Sequence, residues 1–268
     1  MLTVLIPTYK RNRELYRLVD SINKNLNIPH KIIICDNNHN NDISFHQDNI
    51  LYFKQESNLG PRENIKFALC KYLELGIHNS HCFLISDDDF FEREFFLKID
   101  AKIDLYKINC AVKDEDGTYK GKLISRINNF IFGKGYFIDE NRVLTGNILG
   151  YSLVKKYIEL TEHKLINDAW YPMQIWSFLS KKYLIINTNS LIHTVNNETY
   201  WGNYDHKKEM VHQRIHIYNF LTKFFDDKSI KVTKMIYLSR AKKFANIFPY
   251  NYLILIMNVI QKIERKIS

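Results

Sequence analysis

CFLISDDDFF, residues 82–91, sets three consecutive carboxylates, Asp87, Asp88 and Asp89, directly between an apolar run and two phenylalanines. Read as a strand, His81 to Ser86 delivers the triplet to the end of a buried sheet. Adjacent carboxylates repel there and lose hydration unless a cation sits among them, and a hard divalent ion carrying a phosphorylated ligand meets that need. The other reading is a solvated acidic turn that caps a helix starting near Phe91. The segments upstream bear on the choice.

Thr3 to Pro7 is a β-branched run ended by proline, and Arg13 to Leu26 follows with apolar residues at Leu15, Leu18, Val19, Ile22 and Leu26, the spacing of a helix. Lys31 to Cys35, KIIIC, predicts a strand covered on both faces and ending at Asp36. Leu51 to Gln55 predicts a third strand, Asn64 to Leu75 a helix and Cys82 to Ser86 a fourth strand. Such alternation argues an α/β fold with a parallel sheet and right-handed crossovers, in which ligands bind beyond the carboxyl ends of the strands. Thr8, Asp36, Asn58 and Asp87 to Asp89 all fall at those ends, so they form one candidate site.

The pattern is less regular further on. Ala101 to Ala111 reads as a strand or a helix, Asp114 to Gly121 as a turn, and Thr145 to Tyr157 as a small-residue loop, TGNILGY, leading into a helix. Asn167 to Leu179 opens with a helix-start pair, and Tyr183 to Asn187 reads as a strand leading to His193. From His206 onward the chain reads as helical and basic.

The chain has 268 residues, 46% hydrophobic and 14% aromatic, enough for a sizeable core. Cys35, Cys70, Cys82 and Cys110 are widely spaced, which favours buried thiols over disulfides or a zinc site. MLTVLIPTYKR places its apolar run before its basic residues, unlike a signal peptide, so the expected location is cytoplasmic. Most of the net charge of +9 sits between Lys231 and Ser268, where eight basic residues face one acid. The apolar run Tyr252 to Ile260 in that tail is shorter than the roughly 20 residues of a membrane span. Peripheral contact with an anionic membrane surface and terminal helices packed on the core are both open. A nucleic-acid-binding module would use the basic tail but leaves the acidic triplet without a role, so no nucleic-acid partner is expected.

Four segments, VLIPTYKR (4–11), IIICDNN (32–38), SNLGPRENIKFAL (57–69) and LISDDDFF (84–91), resemble in order and spacing the family 2 type of GT-A glycosyltransferases. The resemblance implies a Rossmann-like, mainly parallel sheet flanked by helices with a C-terminal helical extension. It implies a catalytic domain over 1–200, with a nucleotide-binding half at 1–92 and an acceptor half at 93–200, and a basic helical extension over 201–268. The implied activity is inverting transfer of a sugar from a nucleotide-sugar donor, UDP-linked, to a hydroxyl of a glycan or lipid-linked oligosaccharide, in bacterial surface polysaccharide synthesis. Donor contacts fall on Pro7, Thr8, Tyr9, Arg11, Asp36, Asn58, Gly60, Arg62, Asp87 and Asp88. Asp89 takes Mn2+ or Mg2+ directly. Asp168 is the implied general base, deprotonating the acceptor, with a helix cap as its other role. Trp170, Tyr171 and Trp176 form either an acceptor floor or core. His193 is either a further metal ligand or structural, and Asn196 to Lys208 either closes over the donor or is a surface loop. A sugar-phosphate nucleotidyltransferase is the competing enzyme class, but PTYKRN lacks the glycines of its phosphate loop.

Overall fold

The computed structural model describes residues 1–76, 78, 80–114, 119–120, 146–162, 176, 179–180 and 183–195. The chain forms two compact units, one of residues 1–122, 140–159 and 176–195, the other of 123–139, 160–175 and 196–268. The sheet and the candidate site belong to the first.

The described elements run β1 (Leu2–Thr8), α1 (Asn12–Asn25), β2 (His30–Asp36), β3 (Ile50–Lys54), α2 (Gly60–Glu74), β4 (His81–Leu84), β5 (Asp89–Phe91), β6 (Leu105–Asp114), β7 (Tyr119–Lys120), β8 (Gly146–Gly150), α3 (Tyr151–Glu162) and β9 (Tyr183–Val195). They build one mixed sheet in the order β3-β2-β1-β4-β8-β6-β9-β5, with β7 paired to β6. β3, β2, β1 and β4 are parallel throughout, which is the expected nucleotide-type half-sheet. The chain moves outward from β1 to β2 and β3, then returns past β1 to β4. Right-handed crossovers therefore put α1 and α2 on opposite faces and create a switch point between β1 and β4.

Central strands covered on both faces need apolar residues at every position. Val4, Ile6, Ile32, Ile34 and Phe83 pack with Leu15, Leu18, Val19 and Ile22 of α1 in one core cluster. The alternate positions Leu5, Ile33 and Leu84 are buried on the other face, where α2 packs against β1 and β2.

Several local expectations change. No helix starts near Phe91: Asp89–Phe91 is a short strand paired antiparallel to β9. Of the stretch Ala101 to Ala111, Leu105 onward is strand, the first part of β6, and Ala101 to Asp104 form the turn that leads into it. GNILG within TGNILGY is not a loop but β8, buried at all five positions between β4 and β6, and Tyr151 already begins α3. Its first glycine is there for space, since a Cβ on Gly146 would lie 2.6 Å from Phe83 Cε2. β9 extends beyond Asn187 to include His193, by way of a register shift against β6 between Asn109 and Ala111. That irregularity lets Leu191 to His193 pair with β5 on one side while staying in the sheet with β6 on the other.

None of the four cysteines is in a disulfide, and Cys35 and Cys82 are buried. Burial pushes the Cys35 thiol up to about 12, which keeps it protonated and inert. Among the described residues no helix is long and apolar enough to cross a membrane. The apolar run at 252–260, the basic tail and the Asn196 to Lys208 segment lie outside the described residues.

Candidate functional site

The site begins where β1 and β4 end side by side. After Thr8 the chain turns sharply at Lys10, whose φ of 57° is in the left-handed region. Arg11 then stands just before α1. Thr8 Oγ1 donates to Asp87 Oδ2 at 2.7 Å. Arg11 Nη1 donates to Asp87 Oδ1 at 3.0 Å and to Asp88 Oδ2 at 2.9 Å. These bonds tie the loop after β1 to the loop after β4 across the switch point.

The second and third carboxylates meet β9. His193 Nδ1 lies 2.7 Å from Asp89 Oδ1 and 3.7 Å from Asp88 Oδ1. Asp88, Asp89 and His193 bring one ligand atom each within 4.8 Å of one another. Asp89 is fully buried, and the buried Asp88 Oδ1 has no hydrogen-bond partner. A buried carboxylate oxygen without a hydrogen bond is costly, and with Arg11 on the other oxygen and His193 at 3.7 Å a cation among the three groups would satisfy it.

The electrostatics agree. Burial pushes the Asp87 carboxyl up to about 6, against the opposing pull of Arg11 and the Thr8 hydrogen bond. Burial pushes Asp89 up to about 6 as well, partly offset by His193. For His193 burial alone lowers the pKa, but the hydrogen bond and charge of Asp89, with the charge of Asp88, outweigh it and leave the imidazole more basic than usual. Two carboxylates and an imidazole suit Mn2+ in chemistry, and the orphaned oxygen fits a cation at this point.

A separate network organises the end of β2. Asp36, fully buried, accepts from the Asn38 backbone N–H and the Tyr52 hydroxyl, each at 2.8 Å, and from the Asn41 amide. Asn37 donates to Asn58 Oδ1 at 2.7 Å and accepts from the Leu59 N–H at 2.8 Å, while the Gly60 N–H donates to Asn58 Oδ1 at 2.9 Å. Asn64 reaches from α2 to the carbonyls of Cys35 and Thr8, at 2.9 and 3.3 Å. Both oxygens of Asp36 are thereby engaged by its own chain, and the Asn37 and Asn58 amides fix the loop that enters α2. Gly60 adopts φ +80°, and Pro61 occupies the first turn of α2, where its missing N–H costs nothing. Arg62 pairs with its neighbour Glu63, Nη2 to Oε1 at 2.8 Å. Pro7 is half-buried in β1, and Tyr9 is exposed with the Lys10 ammonium 5.1 Å from its ring centroid.

The structure thus joins Thr8, Arg11, Asp87, Asp88, Asp89 and His193, and groups Asp36 and Asn58 beside separate loop networks. Asp168, Trp170 and Tyr171 lie outside the described residues. Trp176 is core, fully buried with its ring centroid 5.7 Å from that of Tyr157 in an edge-on contact. Sequence reasoning passed over Asn37, Asn41, Tyr52, Asn64 and Arg17. The Asn-rich DNNHNN after β2 carried a signal of loop-fixing amides, whereas Tyr52 and Arg17 sit on ordinary element surfaces with no motif around them.

No family model matches the chain, and no curated protein matches it. Among solved structures it is similar to the mannosyltransferase PcManGT from Pyrobaculum calidifontis, in complex with GDP-Man and Mn2+, at a TM-score of 0.55 and 9% identity, covering 100% of this chain and 75% of that one. It is also similar to S. aureus TarS at a TM-score of 0.46 and 17% identity, covering 90% of this chain. The chain spans about half the length of that TarS chain, 47%. A shorter structure, TarS 1-349, is matched at 0.46 and 15%, with 90% and 80% covered. The likeness to the mannosyltransferase is one of fold alone, an α/β architecture of Rossmann-like sheet flanked by helices.

Proposed function

We propose that the protein is a metal-dependent inverting glycosyltransferase that moves a sugar from a nucleotide-sugar donor to a hydroxyl of a glycan or lipid-linked acceptor. The observation that carries this reading is the convergence of Asp88, Asp89 and His193 at the switch point, with Asp88 Oδ1 buried and unpartnered. Asp89 and His193 would hold the ion, with Asp88 as a third ligand, its carboxylate oxygen within 4.8 Å of theirs. Bound Mn2+ or Mg2+ supplies Lewis-acid stabilisation of the departing nucleoside diphosphate. Metal ligands bind as ionised carboxylates and neutral imidazole, so Asp89 and His193 would serve as ligands in those forms.

The chain's own residues do the rest. Arg11 pairs with Asp87 and Asp88 and is partly exposed, and in this reading it meets donor phosphate. Pro7, Thr8, Tyr9, Asn58, Gly60 and Arg62 line the nucleotide side, and Asp36 fixes the loop beside the base. Asp168 removes the acceptor proton, with Trp170 and Tyr171 under the acceptor sugar. The donor is UDP-linked and the product a bacterial surface polysaccharide, made at the inner membrane face by a catalytic domain over 1–200 whose basic extension meets anionic lipid.

The test is donor turnover. Purified protein is offered a panel of nucleotide sugars with Mn2+, following thermal shift and release of nucleoside diphosphate. At least one donor stabilises the wild type and is turned over, Asp89→Asn abolishes both effects, and Asp168→Asn keeps donor binding while slowing transfer by ~10²- to 10⁴-fold. A wild type that neither binds nor turns over any donor with metal present overturns the reading.

A further inference from the structure

β5 is three residues long and lies at the edge of the sheet, where a short strand is marginal on its own. The candidate metal group depends on it. Asp89 and His193, 104 residues apart, meet because they are register partners at the last rung of the β5–β9 pair. β5 finds its other support in one ridge of α1. Asn25 donates to the Phe91 carbonyl at 2.8 Å, and the Phe91 N–H donates to Ser21 Oγ at 3.0 Å. Arg17, one further turn back, donates through Nη2 to the Asp88 carbonyl at 3.0 Å and to Thr194 Oγ1 at 3.2 Å. Its guanidinium carbon lies 4.5 Å from the Phe90 ring centroid. Residues 17, 21 and 25 are four apart, so a single helix face meets β5 along its whole length.

Arg17 occupies the end of that ridge nearest the metal group. Beyond the Asp89–His193 rung the next residues outward are Asp88 and Thr194, and Arg17 holds both. A planar, permanently charged guanidinium suits this role, because it keeps two acceptors at a set separation while its face rests on an aromatic ring.

We propose that Arg17 is a positioning residue for the metal group: it closes the open end of the β5–β9 pair and so keeps Asp88 and Asp89 at the distance from His193 at which the three share one cation. The inference rests on the reading of this group as a metal site. Arg17 is exposed, so its contribution to global stability is small and its effect is local. Ser21 and Asn25, at the far end of β5, act on folding instead.

The test is Mn2+ binding to the full chain by titration calorimetry, beside the melting temperature of the metal-free protein. Arg17→Met keeps the alkyl stem and is expected to weaken Mn2+ binding by ~10-fold or more, the size typical of groups that orient metal ligands. Thr194→Val weakens it less, and Arg17→Lys, which keeps the charge without the fork, falls between Arg17→Met and the wild type. Asn25→Ala lowers the melting temperature more than Arg17→Met does, with a smaller change in Mn2+ affinity. Mn2+ affinity within about twofold of wild type in Arg17→Met, while His193→Ala loses binding, overturns the positioning role alone. Unchanged binding in His193→Ala and Asp89→Asn overturns the metal reading as well.

Discussion

Lys107, buried in β6 opposite Asn147, shows what one buried charge does to this molecule. Burial lowers its pKa from 10.5 to about 8, so the folded protein holds the proton less firmly than the unfolded chain. The cost is absent above the unfolded value, grows as pH falls toward the folded value and is complete below it. At neutral pH it amounts to at most about 3 kcal/mol. Lys107→Met is therefore expected to gain melting temperature relative to wild type as pH falls from 10.5 to 8. A gain independent of pH in paired thermal scans would assign the effect to packing rather than charge. Tyr52 is the converse case, a hydroxyl that satisfies a buried carboxylate. Tyr52→Phe leaves Asp36 one donor short and is expected to cost ~1–3 kcal/mol in urea unfolding. An unchanged midpoint would mean that Asp36 finds another donor.

Two glycines separate backbone freedom from space at the scale of elements. Gly60 adopts φ +80° and has nothing within 4 Å of where a Cβ would stand, so Gly60→Ala bears only the strain of the left-handed backbone, ~1–2 kcal/mol. Gly146 has ordinary backbone, but its Cβ would strike Phe83, and Gly146→Ala forces β8 away from β4 at ~1–3 kcal/mol. Denaturant melts of the two variants, each with Phe83→Leu added, distinguish the causes: the second change relieves Gly146→Ala and leaves Gly60→Ala unaffected. The same contrast explains the misreading of TGNILGY. Small residues there signal a close approach of strands, and a sequence pattern alone does not separate that from a turn.

For the whole molecule, the candidate metal group Asp88, Asp89 and His193 joins the end of the parallel half-sheet to β9, the described strand most distant from it in sequence. A cation bound there links the two halves of the sheet and stabilises only the folded chain. Mn2+ at 100 times its dissociation constant is expected to add ~2.7 kcal/mol, seen as a shift in thermal unfolding, and His193→Ala removes that shift. A shift that survives His193→Ala would place the cation elsewhere.

The sequence by itself determined the alternation of strands and helices through β4, because buried parallel strands and amphipathic helices write local periodicities of 2 and 3.6. It also determined that Thr8, Asp36, Asn58 and the triplet share one edge, because loops after parallel strands converge there. Only the tertiary structure divided the triplet, giving Asp87 to Thr8 and Arg11, Asp89 to His193, and Asp88 to Arg11 through one oxygen and to the side of His193 through the other. It alone made β8 a strand, brought Asp89 and His193 into register and set Arg17 across Asp88 and Thr194. Those outcomes depend on pairing between residues tens to a hundred positions apart and on an irregularity in β9, and no local pattern encodes a cross-strand register.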